Sequence, residues 1–386
     1  MMAGVHFIFF WGGMTLAAAA MTYGLAACIA VCVRIRESRF IATTQPAVSI
    51  LKPLCGAEPE TYACLRSFCD QAYPQFQIVF GVCDANDPVL AVVSRLQREF
   101  PQIDMAVAVD HSQHGSSRKV SNLINMLPLV RHEYLVVSDS DVRVDPDYLA
   151  QIIGPLLDDG VGIVTCAYRG YPRRGLWPLL GSMFINEWFL PSVRVAAMTG
   201  SRAFAFGATI ALRRAVLERI GGFTAIANQL ADDYRLGELT RRLGLRTVLS
   251  EVVIDTWVAE GSFGRLVRHE LRWLRTIRAL RPSAYCFCFI TFGMPVAALG
   301  ALLAGGAAPA VGMLWVTVFT RLTLHGALRR GGGRRVANRR RADPRGVEPG
   351  LVAVEFFHAA RALARGALSG DPGRIGAARG GVALGL

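Results

Sequence analysis

Ser138-Asp139-Ser140-Asp141 closes an apolar run, Tyr134 to Val137. The run reads as a buried strand, and side chains i and i+2 of an extended chain point to one side. Two carboxylates converging at a strand end repel each other unless a cation sits between them. The chemistry on offer is a Mg²⁺ or Mn²⁺ site for a sugar nucleotide. The plainer alternative is a solvated acidic turn. Other acids fall at comparable places. Asp84 follows a second strand, with Asp87-Pro88 close behind, and Asp232 and Asp233 open a later helix. A doubly wound sheet gathers its C-terminal strand ends on one edge, where ligands bind. Several acidic turns on one edge are harder to dismiss than any single one.

The 42 basic residues include two lysines, Lys52 and Lys119, and both are expected in loops beside these motifs. An exposed, solvated lysine is the usual alternative, and the coincidence weakens it. His111 and His114 are spaced i, i+3 near a turn, but no acidic partner accompanies them, so a metal pair is not expected. Neither a G-x-G-x-x-G nor a G-x-x-x-x-G-K-[ST] pattern occurs, which argues against a dinucleotide fingerprint or a P-loop.

The elements that must position these groups alternate. Strands are expected at 47–51, 76–82, 103–109, 134–138, 161–167 and 203–212, with one or two more in 246–257. Helices are expected at 58–71, 89–100, 116–130, 146–157, 213–220 and 232–243. Strands alternating with helices imply an α/β fold with a mainly parallel sheet covered on both faces. Residues 262–280 read as a basic amphipathic helix. Leu176 to Met198 is apolar and Trp-bearing, is interrupted by Pro191, and suits a membrane face, although a pair of core helices is the alternative.

Composition adds a membrane. Mean hydropathy is +0.35 over 386 residues. His6 to Val33 carries no full charge and exceeds the roughly 20 residues that span a bilayer. Arg34, Arg36 and Arg39 follow it, so the positive-inside rule places the next domain in the cytoplasm. Residues 284–303 are expected as a second span and 307–319, extensible to 328, as a third. The net charge of +13 is concentrated late: from Arg321 onward 13 Arg face four acids. A basic tail beside spans suits anionic lipid head groups, and no nucleic-acid partner is expected. The nine cysteines form no C-x-x-C pair and read as buried, reduced thiols. The expected division is a first span at 1–33, a basic linker at 34–46, a catalytic domain at 47–261, an interfacial helix at 262–282, two spans within 284–328 and a tail at 329–386.

Seven motifs then stand in order: Val48-Ser-Ile-Leu-Lys-Pro-Leu-Cys-Gly56, Tyr73-Pro74, Asp84 with Asp87-Pro88, Asp139-Ser-Asp141, Gly221-Gly222-Phe223, Ala231-Asp232-Asp233-Tyr234 and His269-Glu-Leu-Arg272-Trp273. Over about residues 45 to 320 the chain resembles the membrane-bound family 2 glycosyltransferases. Within them it resembles the ceramide glucosyltransferase-like branch, and most of all the bacterial hopanoid biosynthesis-associated enzymes. The resemblance implies a GT-A fold and inverting transfer from a UDP-sugar. It places Asp84 against uracil and ribose, Lys119 near the nucleotide, and Lys52 and Glu58 among the donor-binding residues. Asp141 would be the direct ligand of Mg²⁺ or Mn²⁺, with Asp139 beside it and nearer the ribose. Asp233 would be the catalytic base and Asp232 a helix-opening acid. Arg272 and Trp273 match an R-W signature that meets the diphosphate and walls the sugar site, whereas His269 stands where Gln or Arg is usual. The implied acceptor is a hydroxylated hopanoid such as bacteriohopanetetrol, the donor UDP-N-acetylglucosamine, and the setting the inner membrane of a bacterium, crossed several times. Ceramide with UDP-glucose is the next reading, then a polysaccharide synthase. A non-catalytic membrane scaffold is the contrasting class.

Overall fold

The computed structural model describes residues 2–32, 44–201 and 204–336. Arg34, Arg36 and Arg39 of the expected linker, and the tail beyond 336, lie outside the described residues. In chain order the first elements are α1 (Met2–Cys32), β1 (Val48–Leu54), α2 (Thr61–Cys69), β2 (Phe76–Val82), α3 (Val89–Glu99), β3 (Asp104–Val109), α4 (Arg118–Met126), β4 (Tyr134–Ser138), β5 (Val142–Arg143), α5 (Tyr148–Ile153) and β6 (Val161–Pro172). They continue with α6 (Leu176–Phe184), α7 (Leu190–Met198), β7 (Thr209–Arg213), α8 (Arg214–Arg219), α9 (Asp232–Arg242), β8 (Arg246–Val258), α10 (Phe263–Leu280), α11 (Pro282–Phe287), α12 (Gly293–Leu303) and α13 (Ala308–Val336). The elements fall into two compact units. One holds the sheet, between residues 44 and 171 and between 200 and 257; the other holds α1, residues 172–199 and the chain from 258.

The sheet has eight strands in the order β3-β2-β1-β4-β7-β6-β8-β5. The strands β3, β2, β1 and β4 run parallel; β2, β1 and β4 have the nearly continuous apolar composition of strands buried on both faces, whereas β3 is a partly exposed edge strand. The β7 strand then enters antiparallel to β4 and pairs antiparallel with β6. The result is the expected α/β fold, with a mixed sheet whose core half is parallel. Leu51, Val79, Val137 and Leu212 from the strands meet Val120, Leu123 and Met126 of α4 and Leu236 of α9 in one buried cluster. The α4 helix lies directly on β2. A Cβ on Gly81 would come within 2.2 Å of Asn122 Oδ1 and 2.4 Å of Met126 Sδ. Asn122 Nδ2 donates to the Gly81 carbonyl at 2.9 Å, and Ser117 caps the helix by accepting from the Val120 N–H.

Several boundaries differ from expectation. The β1 strand runs on through Lys52 and Pro53 to Leu54, so Lys52 is in a strand and not a loop, and Lys119 lies in α4. The β6 strand continues past Ala167 to Pro172, β7 starts at Thr209, and β8 is a single strand. All nine cysteines are free; Cys64, Cys69 and Cys166 are buried, but Cys32, Cys55, Cys83 and Cys286 are exposed.

In the helical unit, Gly4–Cys32 and Ala308–Leu328 are long and apolar enough to cross a membrane. They expose Phe7, Ile8, Phe9, Trp315 and Phe319, as suits a hydrocarbon surround. Residues 282–303 do not form one straight helix. They bend by 79° between Pro282–Thr291 and Gly293–Leu303. Pro295 explains the break. It has no N–H to continue a helix from Thr291 and is tolerated in the first turn of a new one. The α12 helix packs against α1 glycine to glycine. A Cβ on Gly13 would lie 2.5 Å from the Gly300 carbonyl oxygen, and one on Gly300 would lie 2.6 Å from that of Gly13. Further along α1, Ala20 faces Gly293 and Gly24 faces Thr320. Pro191 does not interrupt its segment either. The chain stays helical from Leu176 to Met198 through a π-turn at Ile185–Phe189, which absorbs the hydrogen bond that proline cannot donate.

Candidate active site

The β4 strand ends at Ser138, and the chain turns through Asp139–Asp141 into β5, closed by a bond from the Val142 N–H to the Asp139 carbonyl at 3.4 Å. The two aspartates therefore do not sit on one extended segment. Asp139 is buried, and its Oδ1 lies 2.5 Å from Lys119 Nζ. Asp141 Oδ2 accepts a hydrogen bond of 2.7 Å from Thr256 Oγ1 on β8. Burial first, and then the charge of Asp139, pushes the Asp141 carboxyl up to about 6. The two acids thus remain within electrostatic reach and repel. Their oxygen donors fit a hard divalent ion, which takes one or two carboxylates and fills its remaining positions with phosphate oxygens and water. Among the described residues no group of three or more His, Cys, Asp or Glu is set to hold a metal. His114 instead bonds Asn125 Oδ1 through Nε2 at 2.7 Å.

Lys52 is buried. Its side chain has no exposed surface to offer a nucleotide. The ammonium donates to the main-chain carbonyl of Asp139 and to Ser138 Oγ at 3.4 Å, and it lies 3.8 Å from the centre of the Phe68 ring. Burial lowers its pKa to about 8, against the opposing pull of Cys64, Asp139 and Asp141. It is a cation beneath the acidic turn, bound to its backbone.

Lys119 joins the turn to α9. Burial alone would push its ammonium down, but Asp139, Asp232 and Asp233 overcome that and its pKa is raised. Its Nζ also donates to the Gly207 carbonyl at 3.3 Å. The N–H of the same Gly207 donates to Asp233 Oδ2 at 2.9 Å, and Asp233 Oδ1 accepts from the Tyr234 N–H at 2.7 Å. Asp232 Oδ1 accepts from the Asp233 N–H at 3.0 Å. Burial raises both neighbours. Asp232 reaches about 6 despite Lys119, and Asp233 is also raised although its two backbone bonds and Lys119 hold it down. A partly desolvated carboxylate of raised pKa is chemically suited to take a proton. Tyr168, Thr256 and Gly207 escaped the sequence reading. Tyr168 is buried where Asp233, Asp139 and Asp141 all act on its hydroxyl; after burial, they push its pKa well up. It lies one residue past the expected end of its strand, so nothing in the apolar pattern marked it.

Asp84 and Glu58 sit in exposed turns after β2 and β1. Asp84 Oδ1 accepts from the Asn86 N–H at 2.8 Å, and the Glu58 N–H donates to Thr61 Oγ1 at 2.9 Å. Asp87 links these turns by accepting from the Gly56 N–H at 2.8 Å. Arg272 and Trp273 belong to the helical unit, on α10. Trp273 packs against Phe184, Phe189 and His269 with ring centres 5.9, 5.5 and 5.8 Å away. His269 pairs through Nδ1 with Glu260, whose pKa is lowered against the effect of burial. A small, mainly apolar cavity there is lined by Gly181, Phe184, Leu266, Glu260, His269 and Trp273.

This fold is similar to that of the mannosyltransferase PcManGT from Pyrobaculum calidifontis, solved in complex with GDP-Man and Mn²⁺, at a TM-score of 0.55 and 20% identity over 87% of this chain and 100% of that one. A mixed α/β sheet with this likeness defines a GT-A-like glycosyltransferase fold. The profile of Glycosyl transferase family 21 matches residues 13–342, and the chain belongs to that family. Among curated proteins it is similar to ceramide glucosyltransferase 1 of Caenorhabditis elegans, 23% identical over 208 residues, or 54% of this chain and 44% of the relative. It is also similar to an N-acetylglucosaminyltransferase of Bradyrhizobium diazoefficiens, 24% identical over 242 residues, or 60% of this chain and 49% of the relative. The chain spans less than half the length of these two relatives.

Proposed function

We propose that this chain transfers a sugar from a UDP-sugar to a hydroxyl of a membrane lipid, with inversion and with a divalent cation. The observation that carries the reading is the meeting of Asp139, Asp232 and Asp233 around Lys119, with Asp141 beside them. Asp233 takes the proton of the acceptor hydroxyl as its oxygen attacks the anomeric carbon. The bond from that carbon to the diphosphate breaks, and its electron pair leaves on the diphosphate oxygen, so an α-linked donor gives a β-glycoside. Asp141 and Asp139 hold Mg²⁺ or Mn²⁺, which when bound offsets the charge growing on the diphosphate. Asp84 meets the uracil and ribose. Glu58 lies on the same donor side, and the resemblance adds Arg272 as a diphosphate contact and Trp273 as a wall of the sugar site.

The donor we favour is UDP-N-acetylglucosamine, supported by the bacterial N-acetylglucosaminyltransferase among the relatives. The acceptor we favour is a hydroxylated hopanoid such as bacteriohopanetetrol, on the strength of the motif set. Ceramide with UDP-glucose is the second reading, supported by the nematode relative. Two helices of spanning length and the motif order support a bacterial inner-membrane protein with its sheet unit in the cytoplasm. The test uses membranes from cells expressing the chain, labelled UDP-sugars and lipid extracts, with and without EDTA. We expect label in lipid only when metal is present, and a loss of at least about 100-fold for Asp233→Asn, the scale of a lost general base. Transfer that survives Asp233→Asn undiminished overturns the mechanism. Absence of transfer from every donor overturns the enzyme reading.

A further inference from the structure

The two lysines hold the acidic turn by different atoms. In a chain with 42 basic residues, Lys appears only at positions 52 and 119, and arginine serves everywhere else. Both ammonium groups touch Asp139, Lys52 at its main-chain carbonyl and Lys119 at its carboxylate. An ammonium is a compact point charge, whereas a guanidinium is a planar fork that binds two oxygens at once. The two sites also differ in one respect. Lys52 has no exposed surface, so its charge is fixed under the turn. The Lys119 side chain keeps 14% of its surface exposed and is surrounded by alternatives: Asp139, the Gly207 carbonyl, and the charges of Asp232 and Asp233.

We propose that Lys119 is an exchangeable counter-cation and positioning residue: its ammonium and the divalent ion compete for Asp139, and the ammonium yields only when the nucleotide diphosphate arrives with the metal. This rests on the metal reading given above. The physical basis is occupancy. Lys119 Nζ already holds the Asp139 carboxylate at 2.5 Å, so a cation that takes that carboxylate has to break this contact. Two carboxylates supply few of the roughly six oxygens that a divalent ion takes, a small return for the contact broken. A metal arriving with a diphosphate brings its own anion, and the ammonium then has phosphate oxygens, or Asp232 and Asp233, to move to. Gly207 ties this exchange to the base. Its carbonyl takes the Lys119 proton donor while its N–H holds Asp233 Oδ2, so movement of Lys119 acts on the residue that orients the base.

The experiment titrates Mn²⁺ into the full-length chain in detergent micelles, reading free Mn²⁺ by electron paramagnetic resonance, with and without UDP. The wild type should bind Mn²⁺ weakly alone and at least tenfold more tightly with UDP. Lys119→Gln should bind Mn²⁺ alone several-fold more tightly than wild type and gain less from UDP, whereas Lys119→Arg, which keeps the charge, should stay weak without UDP. Lys119→Gln binding Mn²⁺ alone no more tightly than wild type overturns the exchange. Wild type binding no Mn²⁺ even with UDP overturns the metal reading itself, so the two failures are distinct. A second measurement needs no variant. Amine labelling of the native chain, read by mass spectrometry, should change several-fold at Lys119 in saturating Mn²⁺ with UDP but not in Mn²⁺ alone, with buried Lys52 as the internal reference. A Lys119 rate unchanged by Mn²⁺ with UDP overturns the proposal even if the glutamine variant does not fold.

Discussion

Asp232 and Asp233 are adjacent in sequence, yet the helix start gives them different tasks. Asp233 holds two backbone N–H groups with its own carboxylate. Asp232 is buried, and its pKa is raised to about 6 from an ordinary value of 3.8. A carboxyl raised on folding binds its proton more tightly in the folded state. Its charged form therefore lowers stability above about pH 6, and that effect fades as pH falls through this value toward the ordinary one. Asp232→Asn keeps the acceptor for the Asp233 N–H and removes the buried charge. It should raise thermal stability at pH 8 by about 1–3 kcal/mol, the scale of a two-unit shift, and the gain should fall to roughly half by pH 5 and vanish only below the ordinary value of 3.8. Thermal unfolding at the two pH values checks this, and a destabilised variant at pH 8 would mean that Lys119 depends on the Asp232 charge.

The helix that carries Lys119 is placed by a glycine on a neighbouring strand. Gly81→Ala would drive a methyl group into Asn122 and Met126, one and two turns from Lys119 on the same face. Overpacking of this kind costs about 1–3 kcal/mol. Because it lifts α4 from β2, it should also weaken Mn²⁺ and UDP binding beyond what the loss of stability explains. Unfolding and titration of the one variant give both numbers. At this scale the sequence was a good guide where turn residues bracket an apolar run. The β2 and β4 strands have the expected ends, because Tyr73-Pro74 and the aspartates bound them. It failed where charge interrupts a strand that tertiary contacts complete. Lys52 looks like the end of β1 because a lone lysine does not belong in a core, and only the Asp139 carbonyl and the Phe68 ring make it one. The aspartates at 139 and 141 were legible as a pair. Their separate partners, Lys119 and Thr256, come from elements distant in sequence, and no local pattern records them.

In the helical unit two helices are long and apolar enough to cross a membrane, or three crossings if the bent pair at 282–303 is one span. The segment expected as an ordinary span is bent, and the one thought marginal is the long helix α13. The Gly13 and Gly300 contact is backbone against backbone, so no side chain can move aside. Gly13→Leu should separate α1 from α12, lowering the unfolding temperature in detergent and opening the 304–307 turn to protease; unchanged cleavage would show that this crossing does not hold the unit together. The order of contacts along α1 has a further consequence. Gly13 meets Gly300, Ala20 meets Gly293 and Gly24 meets Thr320, so α13 runs in the same direction as α1 and α12 runs against both. The return between these two co-directional helices is α12, with eleven residues, about 16 Å of rise, roughly half of a 30 Å hydrocarbon layer. Its tip, near Gly305 and Gly306, packs level with Phe10 and Met14 of α1, while Phe7 to Phe9 extend beyond it. One side of this bundle is therefore shorter than the other, and a bilayer placed around it would meet the mismatch by thinning on that side or by tilt of the helices; thinning would draw lipid head groups inward along this flank of the protein.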